Sequence, residues 1–384
     1  SIYTCDGYTD YLYGAMLPET KDLGLFELDY ERDGVLIRTP DEMTKGQVRK
    51  RINQPKFGSI LAESKAWADI LDCRFISDLN RINKEHAMGD LIRISEGLQE
   101  KRIAQIADHI AAHRENIRLI LIAGPSSSGK TSFAQRLRIQ LRVNGLRPVM
   151  ISLDDYFLNR ADTPLNEKGQ YDYESIDALD TKLFNENMIQ LLAGQEVQIP
   201  RYNFITGMRE WKEDAFFSID SDQPIIIEGI HGLNEYLTKD IPRINKYKIY
   251  ISALTQLNID AHNRIPTTEV RFLRRLVRDY QFRGAKALKS IRQWPDVRAG
   301  EEKYIFPFQE EADVLFNSAL IYEIGVLKAY AVPLLSEITQ GEEGYTEARL
   351  ILRFLQYVDE IDDVDDIPNN SILREFIGKS VFFS

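Results

Sequence analysis

Leu119 to Arg142 reads LILIAGPSSSGKTSFAQRLRIQLR, and the reading of this stretch decides the fold. The apolar run Leu119–Ala123 has the length and Ile/Leu content of a buried strand. It stops at Gly124, and Phe133, Leu137 and Leu141 then recur four apart, which is helical spacing. Between them lies Gly124-Pro-Ser-Ser-Ser-Gly129-Lys130-Thr131, a complete G-x-x-x-x-G-K-[ST] phosphate-binding loop. Glycines let backbone amides approach phosphate oxygens, and the helix start adds a favourable dipole. Lys130 is placed to neutralise β and γ phosphates, and Thr131 to offer a hydroxyl to Mg²⁺. The expected ligands of a nucleoside triphosphate are therefore Gly124, Ser126, Ser127, Ser128, Gly129, Lys130, Thr131 and Ser132.

Working outward, Arg147–Leu153 is a second β-rich run that ends in Asp154-Asp155-Tyr156. Ligands gather at the carboxyl ends of strands in open α/β sheets, so this acidic pair is expected to face the phosphate site. A carboxylate there can take a proton from an attacking hydroxyl and help hold Mg²⁺. Pro224-Ile-Ile-Ile-Glu228-Gly229 is a third strand, ending in a single acid of the kind that orients a metal. Arg271, Arg274, Arg275 and Arg278 fall on one helix face, with Arg283-Gly284 following. Four guanidiniums on one face of an acidic protein suggest a lid that closes on phosphates.

The 384 residues suffice for two or three domains. No signal peptide or bilayer-length apolar segment is evident, so no membrane partner is expected. Cys5 and Cys73 form no metal-spacing motif, which suits a reducing cytoplasm. The net charge of −11 argues against a protein that coats nucleic acid. The sequence opens on Ser rather than Met, as a processed or truncated product would.

Residues 1–82 read as a small α+β domain, with strands at Leu25–Asp29 and Gly34–Arg38 joined by a turn at Glu31-Arg32-Asp33-Gly34. Ser64–Leu71 and Phe75–Asn83 are helical in pattern. Residues 83–117 form a helical connector with an apolar stripe at Leu91, Ile94, Leu98, Ile103 and Ile106. His109 and His113 share a face there, but without a catalytic Glu or third ligand they read as surface histidines. Residues 118–330 form the nucleotide-binding part, and 331–384 a helical extension that includes the acidic run Asp359–Asp366. The fold class expected is α/β, a mostly parallel sheet flanked by helices, beside the smaller α+β domain.

A GTPase base reader is missing, since Asn245-Lys246-Tyr247-Lys248 lacks the required Asp; transporter-ATPase and helicase signatures are missing too. A small-molecule kinase remains. The stretches GPSSSGKT at 124–131, SLDDYF at 152–157, GQYDYESIDALD at 169–180, IPRYNF at 199–204, IIIEGI at 225–230 and RRLVRD at 274–279 resemble the uridine kinase and phosphoribulokinase family, in the family's order. That resemblance covers about residues 118–330 and implies a P-loop kinase using ATP and Mg²⁺. It implies Asp154 as catalytic base and Mg²⁺ neighbour, assisted by Lys130 and Arg278, with Thr131 and Glu228 completing the metal site. It implies Glu174 as the ribose-binding acid, Tyr202 and Phe204 as walls of the acceptor pocket beside Asp154 and Tyr156, and Arg275, Arg278 and Arg283 as lid arginines on the triphosphate.

Three positions depart from the family. Gly207 stands where pyrimidine nucleoside kinases often place a base-reading His, Ala285 replaces a later lid arginine, and Glu174 replaces the usual Asp. The acceptor is accordingly read as a nucleoside, with a sugar or polyol on the same fold as an alternative. A nucleotide-binding or RNA-associated module without catalysis is a third reading. The segment around Tyr8–Pro40 is similar to part of the second accessory domain of threonyl-tRNA synthetases, without that domain's editing His and Cys cluster. Pro368–Gly378 also fits the kinase tandem that carries such a domain. Family members often form homo-oligomers.

Overall fold

The computed structural model describes residues 2–383 apart from 12–15, 18, 32–33, 41–43, 167–168, 212–215 and 363. It divides into two compact units, Ser1–Pro55 and Lys56–Ser384. The boundaries read from the sequence at 82, 117 and 330 thus differ from the structure's own division.

In the first unit β1 (Ile2–Cys5) pairs antiparallel with β2 (Tyr8–Tyr11), and β3 (Glu27–Glu31) with β4 (Gly34–Arg38). Asp6 and Gly7 between β1 and β2 both have positive φ, 48° and 81°, as a two-residue hairpin turn requires. The expected hairpin of the second pair is present, with its first strand two residues later than the apolar pattern suggested. Its turn residues Arg32 and Asp33 lie outside the described residues.

The second unit opens with α1 (Pro55–Ile70), α2 (Ile76–Lys84) and α3 (Met88–Ala112). Then follow β5 (Leu119–Ala123), α4 (Lys130–Val143), β6 (Val149–Ser152) and α5 (Thr181–Leu192). Two small antiparallel ribbons come next: β7 (Val197–Gln198) with β10 (Phe216–Phe217), and β8 (Arg201–Asn203) with β9 (Met208–Glu210). The chain continues through β11 (Ile225–Glu228), β12 (Lys246–Ser252), α6 (Thr267–Arg283), α7 (Ala287–Tyr304) and β13 (Val314–Asn317). It closes with α8 (Glu323–Ser336), α9 (Tyr345–Leu355) and α10 (Arg374–Ile377).

Five strands form one parallel sheet in the order β13-β12-β5-β11-β6. The all-apolar reading of Leu119–Ala123 has a direct cause, because all five residues are buried between two helical layers. Ile120 and Ile122 point to one face, where α1 to α4, α6 and α8 pack; Leu119 and Leu121 point to the other, against Phe184, Met188 and Leu191 of α5. Ala68, Leu71, Ile76 and Leu79 belong to the first of these cores, so the segment 56–82 builds the larger unit. Ile372, Leu373, Phe376 and Ile377 are buried in the same core beside α4 and α6.

On α3 the buried line runs through Leu91, Ser95, Gln99, Ile103, Ile106 and Ile110, while Ile94 is exposed and Leu98 only half-buried. The stripe read from the sequence therefore drifts off the buried face at Ile94. The reason is polar: Glu96 and Gln99 turn inward to meet buried Arg136 of α4, whose guanidinium also reaches Glu100 at 2.6 Å.

Candidate active site

Register sets the site. Glu228, last in β11, lies level with Ile122 of β5 on one side and Ser152 of β6 on the other. The phosphate loop after β5, Glu228 and the turn after β6 consequently open at one end of the sheet, as ligand sites in such sheets do.

Gly124 has no room for a side chain, since a Cβ there would lie 2.0 Å from the backbone carbonyl oxygen of Ile251 in β12. Ser127 and Gly129 then turn the loop with φ of 59° and 82°. The amide of Phe133 donates to the carbonyl of Gly129, so Lys130, Thr131 and Ser132 form the first turn of α4. Lys130 Nζ donates to the carbonyls of Gly124 at 3.0 Å and Pro125 at 3.3 Å, arching over the loop. Thr131 Oγ1 donates toward both carboxylate oxygens of Glu228 at 3.4 Å.

Asp154 sits in a single 3₁₀ turn, Leu153–Tyr156, started by Ser152 Oγ accepting from the Asp154 amide. Its side chain meets solvent in the cleft, yet dense protein around it raises its carboxyl, with Asp155 adding to the rise and Lys130 and Arg283 opposing it. Burial, then Asp154, pushes Glu228 to about 7, while Lys130 and Thr131 pull the other way. Lys130, Thr131, Asp154 and Glu228 are therefore one electrostatic group. Asp155 leaves it: its carboxylate accepts from the Tyr202 amide at 3.4 Å, on the ribbon side. The acidic pair expected to face the phosphates together is split.

Glu174 lies under Gly300 of α7, where a Cβ would come within 2.8 Å of its Cβ. Burial and then Glu301 raise its carboxyl to about 7, opposed by Lys130 and Arg275. Tyr202 and exposed Phe204 meet edge-on at 5.0 Å, and Phe157 lies 5.5 Å from Tyr202 and 6.3 Å from Tyr173. Phe157 and Tyr202 are buried in the core behind the two exposed rings, Phe204 and Tyr173, and Tyr173 adjoins Glu174 in the chain. Phe157 and Tyr173 were not singled out from sequence, although each adjoins a residue that was. Tyr156 is a correction: it is wholly buried, its hydroxyl accepts from Asn187 at 3.1 Å, and its ring packs edge-on against Phe184. It is core rather than pocket wall.

The arginine face is corrected as well. Arg271 is buried in a bidentate pair with Glu301 at 2.7 and 2.5 Å, and Glu301 accepts from the Ser126 amide at 3.1 Å. Arg274 is wholly buried, held by Glu323 at 2.8 and 2.5 Å, and reaches the carbonyls of Ser318 and Ser127. Both are tie-bars under the loop. The remaining three converge on buried Asp279: Arg275 at 3.3 Å, Arg278 at 2.8 Å and Arg283 at 3.6 Å. Of these, Arg275 donates to Ser126 Oγ at 3.0 Å, and Arg283 is felt by Asp154. Helical spacing located the helix but could not say which arginines face inward.

Ser127 and Ser128 hydroxyls are buried without a hydrogen-bond partner, Ser128 entirely so. Orphaned donors in a phosphate loop fit an anionic ligand that brings its own acceptors. The oxygen donors Thr131, Asp154 and Glu228 fit a hard divalent cation. His109 and His113 stack at 4.4 Å, and no cluster of three metal-ligating side chains occurs among the described residues. None of the described helices is long and apolar enough to cross a membrane.

A parallel sheet with this loop at its central strand, and acids ending the neighbouring strands, defines a P-loop phosphotransferase. Residues 119–323 match the Phosphoribulokinase / Uridine kinase family, and the chain belongs to it. It is 32% identical over 199 residues to a uridine kinase of Chloroflexus aurantiacus, covering 52% of this chain and 85% of that one. With a uridine kinase of Mycoplasma genitalium the identity is 29% over 198 residues, covering 51% and 83%. The solved "Possible Uridine Kinase from Bacillus stearothermophilus" aligns over 56% of this chain and 98% of its own at 20% identity, with a TM-score of 0.37, too loose to bear on the site. The chain is thus a kinase of this family.

Proposed function

We propose that this kinase transfers the γ-phosphoryl group of ATP to a hydroxyl of a nucleoside. The observation that carries the reading is the convergence of Lys130, Thr131, Asp154 and Glu228 at the level carboxyl ends of β5, β6 and β11, beside the Glu174 and aromatic wall. Asp154 accepts the proton of the attacking hydroxyl as the new O–P bond forms and the bond from γ-phosphorus to the bridging oxygen breaks, releasing ADP. Lys130, with Arg275, Arg278 and Arg283, balances the charge on the transferring group. Thr131, Asp154 and Glu228 would hold Mg²⁺, which when bound supplies charge neutralisation at the phosphates. Glu174, once ionised, accepts from acceptor hydroxyls, and exposed Tyr173 and Phe204, backed by the buried rings of Phe157 and Tyr202, offer apolar ring surface to a base.

A sugar or polyol acceptor has its own support at Gly207. The residue has φ of 71°, and a Cβ there would come within 2.7 Å of the Arg160 guanidinium, which also donates to the Phe204 carbonyl at 3.2 Å. A histidine here would take a left-handed backbone and push the Arg160 side chain aside, so Arg160 occupies the place where the family's pyrimidine kinases put a base reader. ADP release measured across nucleosides, sugars and polyols separates the readings. Stimulation by no acceptor, with ATP still bound, would favour a nucleotide-binding module. The likeness of Tyr8–Pro40 to a threonyl-tRNA synthetase accessory domain rests on sequence alone and motivates adding tRNA to that panel.

A further inference from the structure

Ser132 was expected to serve the nucleotide, and its donors are already taken. Glu375 Oε2, on α10, accepts from the Ser132 amide at 3.1 Å and from its hydroxyl at 2.7 Å. The segment carrying Glu375 is firmly seated. Ile372 lies where a Cβ on Gly129 would be, 2.4 Å from that point. Arg274 lies over the Phe376 ring at 5.0 Å while reaching the Ser127 carbonyl. Arg374 donates to the carbonyls of Val364 and Ile367 at 2.7 and 2.8 Å. A negative carboxylate thus stands at the start of α4, where backbone amides and the helix dipole favour a phosphate.

We propose that Glu375 sets nucleotide affinity by occupying, from α10, the pair of Ser132 donors that a bound phosphate requires. A hydroxyl proton serves one acceptor at a time, and two anions on one amide repel. Nucleotide entry therefore displaces the Glu375 carboxylate from Ser132, and the affinity of the site is what remains after that exchange. The same side chain adds to the acidic crowding around Glu228. This inference rests on the reading of the α4 start as the seat of nucleotide phosphates.

The test is calorimetric titration of the full chain and of Glu375→Ala and Glu375→Gln with ATP, ADP and adenosine. Removing a charge-assisted competitor is worth about tenfold; both variants should bind ATP and ADP that much more tightly, with adenosine unchanged. Equal or weaker ATP binding in both variants overturns the proposal. In the unaltered chain, amide exchange across Ser371–Gly378 should speed up on adding ADP, an arm that needs no variant to fold; slower or unchanged exchange overturns it too. If neither the unaltered chain nor the variants bind ATP, the nucleotide reading itself falls; if ATP binds everywhere with no gain on substitution, only the role of Glu375 falls.

Discussion

Replacing Arg274 by Ala tests whether this residue is a tie-bar or a lid. In the folded protein its guanidinium is wholly buried, makes two hydrogen bonds to Glu323, one each to the carbonyl and hydroxyl of Ser318, and one to the Ser127 carbonyl. Glu323 is itself buried, and burial raises its carboxyl even with Arg274 present. Without Arg274 it must stay buried unpaired or take up a proton. Breaking a buried pair from one side costs about 3–5 kcal/mol. Losing the contact with the Phe376 ring, desolvated on both sides, adds about 2 kcal/mol. Against a typical total of about 5–15 kcal/mol that is a large fraction, readable as a fall in the urea midpoint at unchanged slope. Arg274→Met with Glu323→Leu removes both charges and should restore at least half of the loss, leaving a coupling energy of about 2 kcal/mol or more. A loss below about 1 kcal/mol for Arg274→Ala, with turnover reduced at full stability, would refute the buried tie-bar and return Arg274 to the lid.

Asp154→Asn should lower kcat by about 10²–10⁴-fold while ATP affinity stays within about threefold, checked by steady-state kinetics and titration. Lys130→Ala should weaken both ATP binding and turnover, because one ammonium serves phosphates in the ground and transition states. Glu174 and Glu228 are both pushed to about 7, and both act as carboxylates, so kcat/KM should rise with pH through that value and level off above it. Glu174→Gln should make the low-pH limb shallower, while a profile flat from pH 6 to 8 would remove both groups from the reaction. Gly124→Ala should abolish nucleotide binding or folding, as the new methyl would meet a backbone carbonyl that cannot give way; thermal melts with and without ATP distinguish the two.

Leu119–Thr131 was legible because its cues are local: a run of five buried residues and loop residues whose chemistry does not depend on distant neighbours. The same holds for Glu228 and Asp154, each of which ends a short β-rich run. Reading failed where orientation mattered. Arg271, Arg274, Arg275 and Arg278 share a stripe, but only packing against α7, α8 and α10 turns the first two onto Glu301 and Glu323. Tyr156 looked like its neighbour Asp154, yet the 3₁₀ turn sends one into the core and the other into the cleft. Glu301 and Glu375 carry no local mark at all. They act on Ser126 and Ser132 from 175 and 243 residues away.

The sequence by itself therefore determined the phosphate loop, the strands that flank it and the acids that end them, since strand length, helical period and loop chemistry are properties of a few consecutive residues. Tertiary structure alone decided which charges work in the cleft and which brace it. That choice is made by burial, and burial of a charge is tolerated only where a distant partner, here Glu301 for Arg271 and Glu323 for Arg274, folds back to meet it.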